Sequence, residues 1–325
     1  MDIVRWGILG SGNVTEQKSG PAFQKLPGSA LTAVMRRTPG LAADYARRHG
    51  VPRAYERVED LIHDPEVDAV YVATPPSSHL DLALRVAAAG KPAYVEKPMA
   101  LDHAECRRLI DAFAARDLPL FVGYYRRALP RSRRVRALID EGHVGAPVSL
   151  SYRYTAPRTR VTSGWRLDPA VSGGGLFVDV GSHALDLFDW LLGPLVDVSG
   201  DAARRSPVAG AVEDVVAMRF RTERGVIGAA LWDFAGMGPH VDHAEIGGTE
   251  GVLRFPVFGD GAVTLIAPDG RETRFVDPSP EHIAMPLIET VVAALRGQGI
   301  CESTGESAAR TTRVMDRVLA GHRGR

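Results

Sequence analysis

The sequence predicts an α/β protein with an N-terminal doubly wound parallel sheet and a C-terminal α+β domain built on a large, open, mostly antiparallel sheet. Residues 2–141 alternate short apolar runs with longer amphipathic segments, which is typical of βαβ units. From residue 146 the pattern changes to alternating strands joined by Gly, Asp and Thr turns, which is typical of an antiparallel sheet. A chain of 325 residues is also longer than a typical single domain.

The first predicted domain spans residues 1–125 and contains five parallel strands. The strand candidates are 3–10, 30–36, 68–74, 92–97 and 119–125. Helices are expected near 14–26, 40–49, 57–63, 77–89 and 103–116, and several of these segments close on Gly or Pro. Strands alternating with helices in this way predict an open sheet covered by its own helices.

The second predicted domain spans residues 126–325. Its strands begin at 146–155, resume near 195 and continue to 276, and a helix is expected at 176–192. Two closing helices are expected near 281–296 and 303–321, and they are candidates for packing back on the first domain. The basic run 126–136 is interpreted as a solvated helix face that begins after Pro130.

Composition excludes some classes of partner. Lys plus Arg equals Asp plus Glu at 39 each, so no global basic field attracts nucleic acid or an anionic membrane. The two cysteines, Cys106 and Cys301, are far apart and have no His or Cys at ligand spacing, which predicts a reducing, cytoplasmic setting. No signal peptide and no run of 18 apolar residues is apparent, so we expect neither export nor membrane insertion.

A glycine loop follows the first predicted strand. In "GSGNV", Gly10 and Gly12 allow a tight turn and a close approach of the backbone to a pyrophosphate, and Asn13 and Val14 open a helix. Thr15 occupies the third position of this fingerprint, where Gly or Ala is usual. The context favours a dinucleotide site over a plain structural turn.

The end of the second predicted strand indicates which dinucleotide binds. Arg36 and Arg37 stand where an NAD enzyme usually places an acid for the ribose 2′-hydroxyl, and no carboxylate precedes Asp44. A guanidinium suits a 2′-phosphate, so NADP(H) is favoured and NAD(H) stays possible. The alternative interpretation is two solvated arginines.

Two further strand ends carry polar side chains. Because ligands of open α/β sheets bind beyond the carboxyl ends of the strands, these residues are expected to share one crevice and to contact the cofactor. They are Thr74, Pro75, Pro76 and His79 after the third predicted strand, and Glu96, Lys97 and Pro98 after the fourth. A partly desolvated Lys97 could exchange protons near neutral pH, and equally it could simply pair with Glu96.

The stretch "GGGLFVDVGSHALDLFDW" places Asp179, His183 and Asp186 on one stripe of a regular helix. The same residue types suit a metal site, an acid/base pair, or caps and surface charges. A metal enzyme would need more ligands, which His240, Asp242 and His243 could supply. The cation of Lys97 argues against a metal in the same crevice.

Four motifs in this order, "GSGNV", "DAVYVATPPSSH", "YVEKPMA" and "GGGLFVDVGSHALDLFDWLLGP", resemble the glucose-fructose oxidoreductase, inositol dehydrogenase and rhizopine catabolism (Gfo/Idh/MocA) family. The resemblance covers nearly the whole chain. It implies an N-terminal Rossmann domain, a C-terminal substrate-binding domain with an open sheet, and a homodimer or homotetramer formed through that sheet. It also implies hydride transfer between a nicotinamide and a carbon bearing a hydroxyl or carbonyl, often on a sugar or cyclitol.

The resemblance assigns roles to individual residues. Lys97 matches the family's essential lysine, Asp179 and His183 match its acid and imidazole, and Pro98 matches a proline whose peptide bond is often cis. Trp165 and Arg166 match a pair that NADPH-dependent members place near nicotinamide and substrate. The segment "GYYRRALP" departs from the family's usual sequence at this place. It supplies further candidates for substrate contact, which are Tyr124, Tyr125, Arg126 and Arg127. Pro76, where Asn is common, is another departure.

These assignments predict an NADP(H)-dependent oxidoreductase acting on a polyhydroxylated small molecule. Lys97 or His183 would give a proton to the carbonyl oxygen, and Asp179 would orient the substrate hydroxyls or the imidazole. One alternative is a nucleotide-sensing regulator of the same fold that does no chemistry, and a second is a metal-dependent enzyme using Asp179 and His183.

Overall fold

The computed structural model describes residues 2–156, 164–206 and 210–323. The chain divides into two compact units. The first unit contains residues 1–125 and 280–309, and the second contains residues 126–279 and 310–325. The two stretches of each unit are therefore far apart in the sequence, and residues 280–309 count with the first unit.

The first unit is built on a parallel sheet of six strands in the order β3-β2-β1-β4-β5-β6. The strands are β1 Val4–Leu9, β2 Ser29–Met35, β3 Arg53–Tyr55, β4 Ala69–Val72, β5 Ala93–Val95 and β6 Leu120–Val122. This confirms the predicted doubly wound fold, although the predicted number of five strands is wrong. The missing strand, β3, has only three residues, which is too short to show a period of two.

Seven α-helices lie wholly within the part of the first unit that the structure describes. They are α1 Asn13–Gln17, α2 Gly20–Lys25, α3 Leu41–His49, α4 Val58–Ile62, α5 His79–Ala88, α6 His103–Ala114 and α10 Met285–Leu295. The single helix predicted at 14–26 is wrong, because the chain turns between α1 and α2. Gly20 allows this turn, since a Cβ there would overlap the carbonyl oxygen of Thr15.

The second unit is built on eight strands in the order β14-β13-β12-β11-β7-β10-β9-β8. Strands β7 and β10 pair in parallel and the other neighbours pair antiparallel, which confirms the predicted mostly antiparallel sheet. The strands are β7 Pro147–Thr155, β8 Leu195–Ala203, β9 Val215–Thr222, β10 Ile227–Asp233, β11 Val241–Gly248, β12 Val252–Phe255, β13 Val263–Ile266 and β14 Glu272–Phe275.

One face of this sheet is buried beneath helices. The longer helices of the unit are α7 Pro130–Asp140, α9 Ser182–Leu192 and residues 310–323 of α11 Gly305–Arg323, with a short α8 at Pro169–Ser172. Aromatic contacts join the sheet to α9: Tyr152 meets Phe188 edge to face with ring centroids 5.2 Å apart. The other face exposes Ile227 and Ala229 of β10 beside Ser149 and Ser151 of β7. Self-association through this face stays a prediction.

The basic run 126–136 is only partly the solvated helix face that the sequence predicts, because Arg133 and Arg134 are exposed but three other arginines are not. Arg126, Arg127 and Arg131 are all buried. Arg126 donates to the carbonyl oxygen of Val257 at 2.7 Å, and Arg131 donates to that of Gly259. These partners lie about 130 residues along the chain, so the local pattern could not reveal them.

Arg127 forms a bidentate ion pair with Asp186 of α9. Its Nε and Nη2 atoms lie 2.6 and 2.5 Å from the two carboxylate oxygens, and both side chains are buried. Burial raises the pKa of Asp186 to about 6, while the guanidinium of Arg127 opposes that rise. Asp186 therefore has a structural role, because its carboxylate is engaged by Arg127 inside the unit.

Other sequence expectations concern redox state and membranes. Cys106 and Cys301 are free and buried. The structure therefore assigns Cys106 to packing, and the reducing compartment stays a prediction. None of the helices that the structure describes is both long and apolar enough to cross a membrane.

We predict that Asp186→Ala destabilises the protein by about 3–5 kcal/mol, because it leaves the buried guanidinium of Arg127 without its carboxylate. The measurement is urea unfolding followed by fluorescence and circular dichroism. Asp140→Ala is the matched control, since Asp140 pairs with Arg136 at 2.6 Å but is half exposed. We expect that control to cost less than about 1 kcal/mol. Equal losses in the two variants would contradict the importance of the buried pair.

Candidate active site

The glycine loop of the first unit has the backbone shape that the sequence predicts. Gly10 has φ of +92°, and a Cβ there would lie 2.7 Å from Cγ2 of Thr74. The amide of Gly10 donates to the carbonyl oxygen of Met35 at 3.0 Å, which fixes the loop between the ends of β1 and β2. At Gly12 a Cβ would meet nothing closer than the carbonyl oxygen of Gly10, at 3.9 Å. Gly12 therefore faces open space.

Two polar side chains of this loop indicate which kind of ligand fits the open space. Thr15 is buried and its hydroxyl donates to the carbonyl oxygen of Gly12 at 2.8 Å, so the departure at this position is satisfied inside the loop. The hydroxyl of Ser11 is also buried and has no hydrogen-bond partner among the described residues. A buried hydroxyl without a partner beside an open, glycine-lined turn fits a phosphate-bearing ligand.

Arg36 and Arg37 are exposed at the end of β2. Nη1 of Arg36 donates to the carbonyl oxygen of Ser11 at 3.1 Å, so the first guanidinium is held beside the glycine loop. A carboxylate lies close to the segment that follows these arginines: Oε1 of Glu56 accepts from the amide of Gly40 at 3.0 Å. The sequence did not suggest Glu56, which follows the short strand β3.

His79 has a structural position. Its Nε2 lies 2.7 Å from the carbonyl oxygen of Thr74 and its Nδ1 lies 2.9 Å from that of Pro98. Burial lowers the pKa of His79, while the hydrogen bonds to the two carbonyl oxygens oppose that change. Because the side chain is fully buried, the structure gives no support to the predicted cofactor contact of His79. Its two hydrogen bonds link the segment after β4 to the segment after β5.

Glu96 also points inward. Its carboxylate accepts from the hydroxyl of Tyr71 at 2.5 Å and from the backbone amide of Lys97 at 3.1 Å. Burial raises the pKa of Glu96, and the nearby ammonium of Lys97 opposes that rise. These contacts anchor the start of the lysine segment, and the cofactor contact of Glu96 stays a prediction. Tyr71, which the sequence analysis missed, lies in the middle of β4 and stacks on Tyr94 with ring centroids 4.9 Å apart.

The lysine segment lies at the end of β5. Lys97 is half-buried, and its peptide bond to Pro98 is cis, as the resemblance implies. Pro75 is exposed, Thr74 is half-buried and Pro76 is buried. The structure thus brings Thr74, Pro98 and the glycine loop together at one edge of the parallel sheet.

The glycine stretch before α9 packs on a buried acid. The amide of Gly175 donates to Oε1 of Glu213 at 2.7 Å, and Glu213 is buried. A Cβ on Gly174 would lie 2.5 Å from Cγ2 of Val178. This turn therefore needs glycine for close packing. Glu213 was not predicted, since it lies 38 residues away in an irregular segment.

A π-helical turn at Phe177–Gly181 precedes α9, so the regular helical stripe predicted for Asp179, His183 and Asp186 is wrong. Asp179 accepts from Nε of Arg166 at 2.8 Å. The Arg166 guanidinium lies over the ring of Trp165, with Cζ 4.4 Å from the centroid. The structure thus brings Asp179, Arg166 and Trp165 together, while Asp186 is turned toward Arg127.

His183 is buried at the start of α9 and meets an aromatic ring that the sequence did not suggest. The imidazole and the ring of Phe258 are edge to face, with centroids 6.2 Å apart. Phe258 lies in "PVFGDG", which has the composition of an ordinary turn. Tyr125 is buried, and the guanidinium of Arg127 is engaged by Asp186. The described contacts therefore give no support to Arg127 as a substrate contact.

With this geometry in place, comparison with known proteins identifies the family. A family model described as an oxidoreductase family with an NAD-binding Rossmann fold matches residues 4–124, and one described as the GFO/IDH/MocA C-terminal domain matches residues 132–254. The chain belongs to the Gfo/Idh/MocA family. This confirms the resemblance that the sequence motifs show, and it identifies the protein as an oxidoreductase.

Individual relatives of this Gfo/Idh/MocA chain cover nearly all of it. Oxidoreductase P35 of Formosa agariphila is 34% identical over 96% of this chain and 97% of its own length. The 1,5-anhydro-D-fructose reductase of Ensifer adhaerens is 30% identical over 93% of this chain and 91% of its own length. The crystal structure of a levoglucosan dehydrogenase with NADH and levoglucosan superposes with a TM-score of 0.87 at 21% identity, covering 99% and 97% of the two chains. This last match shows a shared fold.

Membership of an oxidoreductase family decides against the non-catalytic regulator. The metal-dependent alternative gains no support from the site. Asp179 pairs with Arg166, and Asp242 accepts hydrogen bonds from the amides of Val257 and Phe258. Within residues 2–156, 164–206 and 210–323, no three His, Cys, Asp or Glu side chains are grouped as metal ligands.

The two glycines of the loop predict opposite outcomes for the same change. Gly10→Ala should destabilise the protein by about 1–3 kcal/mol, because its positive φ strains an L-residue and the added Cβ meets Thr74. Gly12→Ala should change the free energy of unfolding by less than about 0.5 kcal/mol, because its φ is −127° and the space is open. Urea unfolding of both variants is the measurement, and a larger loss in Gly12→Ala would refute this account of the loop.

Proposed function

We propose that this protein is an NADP(H)-dependent oxidoreductase that transfers hydride between the nicotinamide and a carbonyl or secondary alcohol of a sugar, cyclitol or related polyol. The observation that carries the proposal is the ion pair of Asp179 and Arg166 over Trp165, on the turn that leads into the helix of His183. An aromatic face suits the C–H surface of a polyol, and a carboxylate with a guanidinium suits its hydroxyls. Similarity to 1,5-anhydro-D-fructose reductase supports this class of substrate.

The chain's residues would manage the proton, because the bound nicotinamide supplies the hydride chemistry at its C4 atom. In the reductive direction, Lys97 or His183 would donate a proton to the carbonyl oxygen as its charge develops. In the oxidative direction, the same group would accept the proton of the hydroxyl. Asp179 would accept hydrogen bonds from neighbouring hydroxyls and so align the reacting carbon.

The residues that would hold the nucleotide belong to the glycine loop and to the end of β2. Amides of Gly12, Asn13 and Val14, with the hydroxyl of Ser11, would bind the pyrophosphate. Arg36, held beside this loop by Ser11, and Arg37 would bind the 2′-phosphate of NADP(H). Glu56 near Gly40 and the NADH complex of levoglucosan dehydrogenase are reasons to measure both cofactors.

The cofactor preference predicts an effect confined to NADPH. Replacing both Arg36 and Arg37 by Ala should weaken NADPH binding about 10- to 100-fold, because charge-assisted hydrogen bonds to the 2′-phosphate contribute about 1.5–3 kcal/mol. NADH binding should change less than about threefold. The measurement is titration of nicotinamide fluorescence, with Arg47→Ala, on the exposed surface of α3, as the control. Tighter binding of NADH than NADPH by the unaltered protein would overturn the preference.

The proposed chemistry is tested by following nicotinamide absorbance across ketosugars, inosols, anhydrosugars and dihydrodiols. On any substrate found, Lys97→Met should lower kcat by about 10²- to 10⁴-fold, the usual contribution of a positioned proton donor. Nucleotide Kd should change little. Lys91→Met is the matched control, since Lys91 lies just before β5 and donates to the carbonyl oxygen of Asp64. Unchanged turnover in Lys97→Met would remove Lys97 from the mechanism.

A further inference from the structure

A short loop after β12, residues 256–259, is held by a half-buried carboxylate and two buried guanidinium groups. Asp242 of β11 accepts from the amide of Val257 at 3.1 Å and from that of Phe258 at 2.5 Å. The hydroxyl of Tyr152 donates to the same carboxylate at 3.1 Å. The carboxylate therefore fixes the two consecutive peptide groups on either side of Val257.

Two buried arginines hold the carbonyl groups of the same loop. Arg126 donates to the carbonyl oxygen of Val257 at 2.7 Å, and Arg131 donates to that of Gly259. Burying charged groups is expensive, and such groups add little net stability over apolar packing. A carboxylate and two guanidinium groups bind this loop of four residues. We therefore expect them to serve the position of the loop and not the stability of the protein.

Phe258 is the side chain that this clamp presents. The guanidinium carbon of Arg126 lies 3.9 Å from the centre of its ring, and the ring of Tyr154 meets it edge to face at 5.2 Å. The imidazole of His183 also meets it edge to face, at 6.2 Å and 83°. Phe258 thus joins the clamped loop directly to the imidazole at the start of α9.

We propose that Phe258 is a positioning residue for His183, and that the clamp formed by Asp242, Arg126 and Arg131 exists to hold Phe258 in place. The second side-chain torsion of a histidine is broad, so an imidazole needs neighbours to fix its plane. A ring held rigidly against it supplies that restraint. The proposal rests on the proposed function, in which His183 takes part in proton transfer.

Phe258→Leu should lower kcat about 10- to 100-fold, because a small misplacement of a reacting group has an effect of this size. Substrate KM and nucleotide Kd should change less than about threefold. Phe258→Tyr keeps the ring and should restore kcat to within about threefold of the unaltered protein. Phe258→Met serves the same purpose as Leu if the Leu variant unfolds.

Phe275→Leu is the matched control. Phe275 of β14 is partly buried in the same unit, and Arg134 lies over its ring with Cζ 5.3 Å from the centroid. Phe275→Leu therefore loses the same kind of cation–π pair, on the edge strand of the sheet. We expect its kcat to be unchanged.

A second measurement does not depend on activity. In ¹³C-histidine NMR spectra of the whole protein, removing the Phe258 ring should shift the His183 Cε1–H signal, and Phe275→Leu should not. A shift together with the kcat loss and its rescue by Tyr supports the proposal. An unmoved signal overturns the positioning role. A shifted signal with kcat unchanged in both Phe258→Leu and His183→Asn overturns the catalytic role of His183, which is a failure of the proposed function.

Discussion

The bidentate ion pair between Arg127 and Asp186 is the interaction on which the arrangement of the second unit depends. Asp186 lies three residues after His183 on α9, so the pair fixes the rotation of that helix about its axis. Arg126, the neighbour of Arg127, is tied to the loop that carries Phe258. One dipeptide in a single 3₁₀ turn at Tyr125–Ala128 therefore sets both the helix and the loop. Such buried pairs specify geometry more than they add net stability.

The first unit reaches its geometry by different means. Its loop depends on backbone conformation at Gly10, whose positive φ and lack of a Cβ allow Thr74 to come close. Around the lysine segment, two side chains bind main-chain atoms: the imidazole of His79 contacts the carbonyl oxygen of Pro98, and the carboxylate of Glu96 accepts from the amide of Lys97. These contacts hold the main chain at Lys97 and Pro98 beyond the end of β5.

Sequence patterns predicted the fold well because its signals are local. Runs of apolar residues, closing glycines and the loop at Gly10 each lie within a few neighbouring residues. The errors have a shared physical cause, which is that contact between distant segments decides them. Arg126 appears as a solvated cation in its own helix pattern, and only Val257 and Phe258, more than 130 residues away, show that it is buried. The sequence suggests that His79 contacts the cofactor, and only the structure shows that its Nδ1 lies beside the carbonyl oxygen of Pro98.

The π-helical turn before α9 explains how one short stretch serves two purposes. Had the helix continued regularly, Asp179 would share a face with His183 and Asp186. The wider turn changes the direction of Asp179 relative to the helix that follows, as such bulges do at functional sites. Asp186 is then used inside the unit, while Asp179 meets Arg166. The sequence places these carboxylates in one stretch, and the wider turn decides which of them pairs with Arg127 and which pairs with Arg166.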